Sequence, residues 1–134
     1  IPLIYNGQEA GNEKRLAFFE RDPITWRPHE FAGLFRALAA LKHENTAIWN
    51  GAAGARMVPV INTAPEKVFS FVRRNNEDGV FVVLNLSADA QTVTFPSGPH
   101  HGAYAEYFSQ EPVSIDETYS ATIEPWGYRV FVRR

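Results

Sequence analysis

Few residue types in this chain of 134 are placed to do chemistry. His100 and His101 stand side by side, and imidazole is a common metal ligand. Neighbouring side chains diverge in most backbone geometries, and no other ligand type lies at a suitable spacing, so no metal site is expected. Asn85-Leu86-Ser87 has the form of a glycosylation acceptor, but it ends an apolar run that reads as a strand, a poor place for a glycan. Cysteine is absent, which excludes disulfides and thiol nucleophiles and leaves the compartment open. No Ser/His/Asp arrangement, Gly-rich phosphate loop or other cofactor signature occurs. The densest polar stretch runs from residue 8 to 27. It holds Glu9, Glu13, Lys14, Arg15, Glu20, Arg21 and Asp22, with Phe18-Phe19 and Trp26 among them. A loop that long inside a compact domain is usually functional.

The elements that must position these residues follow from periodicity. Ile1-Pro2-Leu3-Ile4-Tyr5 is a short apolar run closed by Asn6-Gly7, a turn signal. It reads as a strand buried on both faces, as in a parallel sheet. A buried strand at residue 1 implies further chain upstream. Phe31, Leu34, Phe35, Leu38 and Leu41 form one apolar stripe at helical spacing, which predicts a helix over 28–45. Pro28 suits its first turn, and Lys42 and His43 suit its C-terminal end. From Ile48 the texture becomes β. Strands are predicted at 56–61, with Pro59 marking an edge, and at 68–74, 80–86, 91–95, 103–108, 121–123 and 128–132. The 80–86 run is nearly all apolar and should be central. Asn75-Asn76-Glu77-Asp78-Gly79 reads as a hairpin turn in which Asp-Gly supplies positive φ.

Composition is that of a soluble globular protein, with 45% apolar and 21% charged residues. The formal charge of −2 and the lack of a basic patch argue against nucleic acid as a partner. No apolar run is long enough to span a membrane. The opening residues lack the basic leader and cleavage site of a signal peptide. The chain therefore has two textures. Residues 1–46 read as strand, loop and helix, one βα unit that cannot make a sheet alone. Residues 47–134 read as a self-sufficient antiparallel sandwich.

Several of these segments together resemble one family. Ile1-Pro2-Leu3-Ile4-Tyr5-Asn6-Gly7-Gln8-Glu9-Ala10-Gly11 resembles the eighth barrel strand of the α-amylase family of glycoside hydrolases, minus the glycine that usually leads the motif. Asp22-Pro23-Ile24-Thr25-Trp26 is similar to the loop that follows. Leu34-Phe35-Arg36-Ala37-Leu38-Ala39-Ala40-Leu41-Lys42, then Glu44-Asn45-Thr46-Ala47, is similar to the family's last barrel helix. The Val80–Leu86 strand and Glu124-Pro125-Trp126-Gly127-Tyr128-Arg129-Val130 are similar to its C-terminal sandwich. The resemblance implies a mainly β fold, an antiparallel Greek-key β-sandwich, preceded by a strand-loop-helix remnant of a (β/α)8 barrel. It also implies a parent enzyme that retains configuration at α-glucosidic bonds in starch-like glucans, using an Asp nucleophile and a Glu acid/base. Those carboxylates, with a second Asp, follow the fourth, fifth and seventh barrel strands. This chain begins at the eighth, so no catalytic residue is assigned to it.

Within that frame, Asn6 and Gln8 could border a sugar subsite of the complete barrel, or simply form the turn. Trp26 could stack on a glucose ring, or pack the loop against the helix. Glu9 sits where barrel enzymes place catalytic groups, but the resemblance gives it a loop-ordering role through hydrogen bonds or an Arg partner. Trp126, between Pro125 and Gly127, reads as a structural anchor at a tight turn. The rival function is a carbohydrate-binding sandwich module, for which Tyr104, Tyr107 and Tyr119 are the only loose candidates. Expected partners are the rest of the barrel and, in the full-length protein, an α-glucan. No cofactor is expected. The Ile1–Tyr5 strand and the helix stripe, built to face a barrel, should drive this chain to oligomerise by itself.

Overall fold

The computed structural model describes residues 2–96 and 98–133. The chain separates into two compact units, Ile1–Glu44 and Asn45–Arg134.

In the first unit, the expected strand does not form. Ile1 lies outside the described residues, and 2–5 run without ladder partners. A strand of the parallel kind needs neighbours on both sides to take up its backbone groups, and among the described residues every strand pairs within the second unit. A single turn of 3-10 helix, Gln8–Ala10, follows, and the helix α1 spans Glu30–Glu44. Pro28 therefore precedes the helix instead of opening its first turn. The helix start is set by His29, whose Nδ1 accepts the Phe31 N–H at 3.2 Å. Glu30 in the first turn and Lys42 and His43 in the last complement the helix dipole. Along the apolar stripe Leu41 is buried, Leu34 and Phe35 are half-buried, and Phe31 and Leu38 are exposed.

The second unit opens with 3-10 turns at Thr46–Ile48 and Gly51–Ala53. Among the described residues eight strands follow: β1 (Met57–Pro59), β2 (Val68–Arg74), β3 (Gly79–Asn85), β4 (Gln91–Thr94), β5 (Gly102–Glu106), β6 (Pro112–Ile115), β7 (Ser120–Ile123) and β8 (Tyr128–Arg133). They make a six-stranded sheet ordered β1-β2-β3-β8-β5-β6 and a two-stranded sheet β4-β7, with every pairing antiparallel. The chain leaves the large sheet for β4, returns for β5 and β6, crosses again for β7, and ends by laying β8 between β3 and β5. The expected strands are found, with Pro59 on an edge strand and β3 in the interior of the sheet. β6 was not expected. It is short and begins with Pro112, which an edge position tolerates because the proline lacks a ladder donor.

Alternation in β2 turns Val68, Ser70 and Val72 inward. They meet Phe81 and Val83 of β3, Tyr104 of β5, Phe131 of β8, and Val93, Ala121 and Ile123 of the small sheet in one buried core. Phe81 is its hub, stacked on Phe131 at 5.8 Å and edge-on to Phe95 at 5.2 Å. Phe81→Ala should cost about 3–5 kcal/mol.

The hairpin between β2 and β3 is built differently from the Asp-Gly turn expected. Gly79 does not adopt positive φ; it is the first residue of β3, opposite Arg74. The turn is organised by Asn75, whose side-chain oxygen accepts from the N–H groups of Glu77 (3.0 Å) and Asp78 (2.7 Å). Asn75 thereby supplies locally what positive φ would have supplied. Left-handed non-glycine residues lie further on, at Gln110 (φ 62°) and at Trp126 (φ 56°), the latter within the turn closed by Gly127 N–H to the Glu124 carbonyl.

Asn85 fastens β3 to the small sheet. Its amide group donates to the carbonyls of Asp89 (2.7 Å), Ile123 (3.2 Å) and Glu124 (2.9 Å), and its oxygen accepts from the Ser87 N–H and hydroxyl. A side chain so buried and so fully engaged has no room for a glycan, in keeping with the reading of that sequon as a strand end.

Candidate functional site

The polar loop of the first unit folds onto itself around two glycines. Gly7 (φ 87°) and Gly11 (φ 63°) bracket the 3-10 turn, and both take left-handed backbone. A Cβ on Gly7 would lie 2.9 Å from the Ile24 side chain, and one on Gly11 would lie 2.4 Å from the His29 ring. These close approaches show that residues 24–29 lie against 7–11. Arg27 locks the arrangement, donating from Nε to the Ala10 carbonyl at 3.2 Å and from its terminal nitrogen to the Gly11 carbonyl at 2.9 Å. Further out, Asp22 pairs with Lys14 and accepts the Ala17 N–H at 2.9 Å. The Lys14 hydrogen bond holds the Asp22 carboxyl below the usual carboxylate range, with the Ala17 N–H adding to it.

The three sequence candidates are thus gathered into one folded loop. Asn6 is exposed on the turn that leads into Gly7. Gln8 lies within the 3-10 turn, and its side-chain oxygen accepts the Tyr5 N–H at 3.1 Å, a turn-forming contact. Trp26 stands beside the Arg27 clamp with 60% of its surface exposed. Glu9 departs from expectation. Its Oε2 is enclosed without a hydrogen-bond partner among the described residues, while Arg27 donates to the carbonyls of Ala10 and Gly11. Arg27, His29 and Ile24 are the loop-ordering residues that sequence reasoning passed over. Gly7 and Gly11, each demanding a close neighbour, were the available signal.

The residues proposed for a carbohydrate-binding sandwich do not form a platform. Tyr104 is buried in the core, and its hydroxyl has no hydrogen-bond partner among the described residues. Tyr119 is half-buried, stacked on Phe95 at 6.2 Å and edge-on to Phe131. Trp126 does not anchor its turn by packing, since 67% of its surface is exposed. The turn is held through its backbone, Trp126 N–H to the Ser87 carbonyl at 3.0 Å. No group of His, Asp or Glu that could hold a metal occurs among the described residues.

The β unit and its loop-bearing neighbour define a class, the C-terminal region of α-amylase-type proteins. Residues 58–130 match the family described as Maltogenic Amylase, C-terminal domain, and the chain belongs to that family. A trehalose synthase from Thermus thermophilus is 29% identical over 106 residues, covering 78% of this chain and 11% of that protein. The α-amylase MalA of Haloarcula japonica is 29% identical over 100 residues, covering 72% of this chain and 14% of that protein. The chain therefore spans a small fraction of the curated relatives it matches. Among solved structures, a noncanonic maltogenic α-amylase from Thermotoga neapolitana superposes with a TM-score of 0.78 at 23% identity, over 98% of this chain and 32% of that one. An α-amylase from Geobacillus thermoleovorans gives a TM-score of 0.71 at 15% identity, over all of this chain and 30% of that one. These structures share the fold, including the mainly antiparallel β architecture.

Proposed function

We propose that the full-length protein is a retaining glycoside hydrolase of the α-amylase type acting on α-glucans, and that this chain is its non-catalytic end. Residues 1–46 would close the catalytic barrel and 47–134 would form the C-terminal sandwich. The observation that carries the reading is the family match over 58–130, joined in order to the Ile1–Gly11 motif and the last-helix motif. In the complete barrel, Asn6 and Trp26 would border a sugar subsite, with Gln8 holding the turn that presents Asn6. The catalytic carboxylates belong to barrel strands that precede this chain. Release of reducing ends from starch and maltooligosaccharides tests the proposal. The full-length protein should turn over at the rate of ordinary enzymes, about 1 per second or more. Full-length protein silent on every α-glucan would refute it.

The isolated chain would associate through the helix stripe, where Phe31 and Leu38 are exposed. Light scattering at several concentrations should show mass rising with concentration. A strictly monomeric chain would end that part of the proposal.

A further inference from the structure

One corner of the large sheet gathers hydrogen-bond donors and gives them few acceptors. Alternation along β2 puts Arg74 on the same face as Val68, Ser70 and Val72, at the end of the strand. Register carries that row across the sheet. Arg74 lies opposite Gly79, and Arg133 lies opposite Tyr104. Gly79 joins the two halves, because a Cβ built on it would lie 3.4 Å from Arg74 Cγ and 3.4 Å from Arg133 Cβ. Two arginine stems thus flank a residue that has no side chain. Like charges on neighbouring strands repel unless an anion lies between them.

No anion of the chain does so. Among the described residues the ion pairs lie elsewhere, at Lys14–Asp22 and Lys67–Asp89. Arg74 reaches the Pro99 and His101 carbonyls, both at 3.5 Å, beyond the usual length of such a bond. Beneath the arginines Tyr104 is 1% exposed, and its hydroxyl has no hydrogen-bond partner among the described residues. Native proteins seldom leave a buried hydroxyl unpaired. Both guanidiniums act electrostatically on that hydroxyl, so the three groups share one neighbourhood. His101 adds an enclosed Nε2, also without a partner among the described residues. Asp116, the carboxylate that feels His101, is engaged by the Thr118 N–H (2.8 Å) and hydroxyl (2.6 Å). Solvent reaches the corner at Arg74 and at Gly102, both exposed; a Cβ on Gly102 would lie 3.7 Å from the Tyr104 ring.

We propose that Arg74, Arg133 and Tyr104 form an anion site that takes a phosphate group, free or carried on a small sugar. A guanidinium presents a planar fork of N–H donors that matches two oxygens of a phosphate. Tetrahedral phosphate can offer oxygens to both forks and still turn one toward the phenol. A carboxylate, with two oxygens, fills a single fork. A nucleic-acid backbone is disfavoured by the formal charge of −2 and the lack of a wider basic surface.

Isothermal titration calorimetry on the chain, in chloride buffer of constant ionic strength, tests the site with inorganic phosphate, glucose 6-phosphate, glucose and acetate as probes. Phosphate should bind with a dissociation constant of about 1 mM or tighter and raise the melting midpoint followed by circular dichroism. Glucose should not bind. Arg74→Gln and Arg133→Gln should each weaken phosphate by about tenfold. Tyr104→Phe keeps the ring in the core and removes a hydroxyl that has no partner. It should weaken phosphate about fivefold while leaving the midpoint without phosphate unchanged or higher. A merely structural hydroxyl would not give that combination. Should one arginine variant melt without cooperativity, the other and Tyr104→Phe carry the test. Equal affinity for both phosphates would assign the free ion and tighter glucose 6-phosphate the carried group; either upholds the site. Absence of heat and of a midpoint shift with both phosphates would overturn the proposal. So would acetate binding as tightly as phosphate, or phosphate affinity that survives all three substitutions.

Discussion

Two buried polar side chains of the β unit carry opposite consequences. Asn85 uses both its amide and its oxygen, so Asn85→Ala would remove its hydrogen bonds to Asp89, Ile123, Glu124 and Ser87 at once, leaving the Glu124 carbonyl only the Gly127 N–H and the Asp89 carbonyl its side-chain donors. Loss of about 1–3 kcal/mol is expected, read as a lower midpoint in urea with unchanged slope. His100 is equally buried, between Phe81 at 5.1 Å and Phe95 at 5.8 Å, and neither ring nitrogen has a hydrogen-bond partner among the described residues. Burial lowers its pKa to about 4, and the neighbouring His101 adds repulsion. The unfolded chain then binds a proton below about pH 6.5 that the folded chain refuses. The contribution of the neutral imidazole is therefore complete above pH 6.5 and drains away as pH falls toward 4, by on the order of 3 kcal/mol. His100→Leu should flatten the fall in melting temperature between pH 6.5 and 4; an unchanged slope would show that other groups set it.

At the scale of elements, the β unit holds its own entrance. Thr46 donates from N and Oγ1 to one Asp78 oxygen (2.7 and 2.5 Å), and Asn75 donates to the Thr46 hydroxyl at 2.9 Å. The start of the unit is thereby pinned to the β2–β3 hairpin, so residues 45–134 alone should melt cooperatively. Thr46→Val, which removes that hydroxyl, should lower stability by about 1 kcal/mol, read as a lower midpoint in urea; an uncooperative melt of 45–134 would show that α1 is integral to the sandwich. Most strands were legible because the information is local. Val68, Ser70 and Val72 alternate with Phe69, Phe71 and Arg73, and a period of two survives any tertiary context that buries one face. The hairpin chemistry was misread because Asn75 and Asp78-Gly79 are both turn signals, and only the folded chain decides which residue organises the turn. The Ile1–Tyr5 run failed for a different reason: its apolar residues encode a strand, but a strand exists only with partners. The loop candidates Asn6, Gln8 and Trp26 were found by resemblance, whereas Arg27 was invisible because its role is to reach carbonyls 16 and 17 residues away.

At the scale of the whole molecule, the proposed role is that of a non-catalytic end. The pure chain should release no reducing ends from starch above background, because the reaction needs a nucleophile and an acid/base set in one pocket. Turnover of about 1 per second or more by the isolated chain would overturn the proposed division of labour. One trait already described reaches into how any of this could be watched. Trp26 and Trp126 are largely in solvent and Trp49 is exposed too, so none of the three indoles is sealed in the β core. Folded chain should fluoresce at wavelengths close to those of solvated tryptophan and shift little on denaturation. Emission spectra would then register a sound preparation as an unfolded one. Near-ultraviolet dichroism, fed by the ring cluster of Phe81, Phe95, Tyr119 and Phe131, is the signal that should collapse at the midpoint.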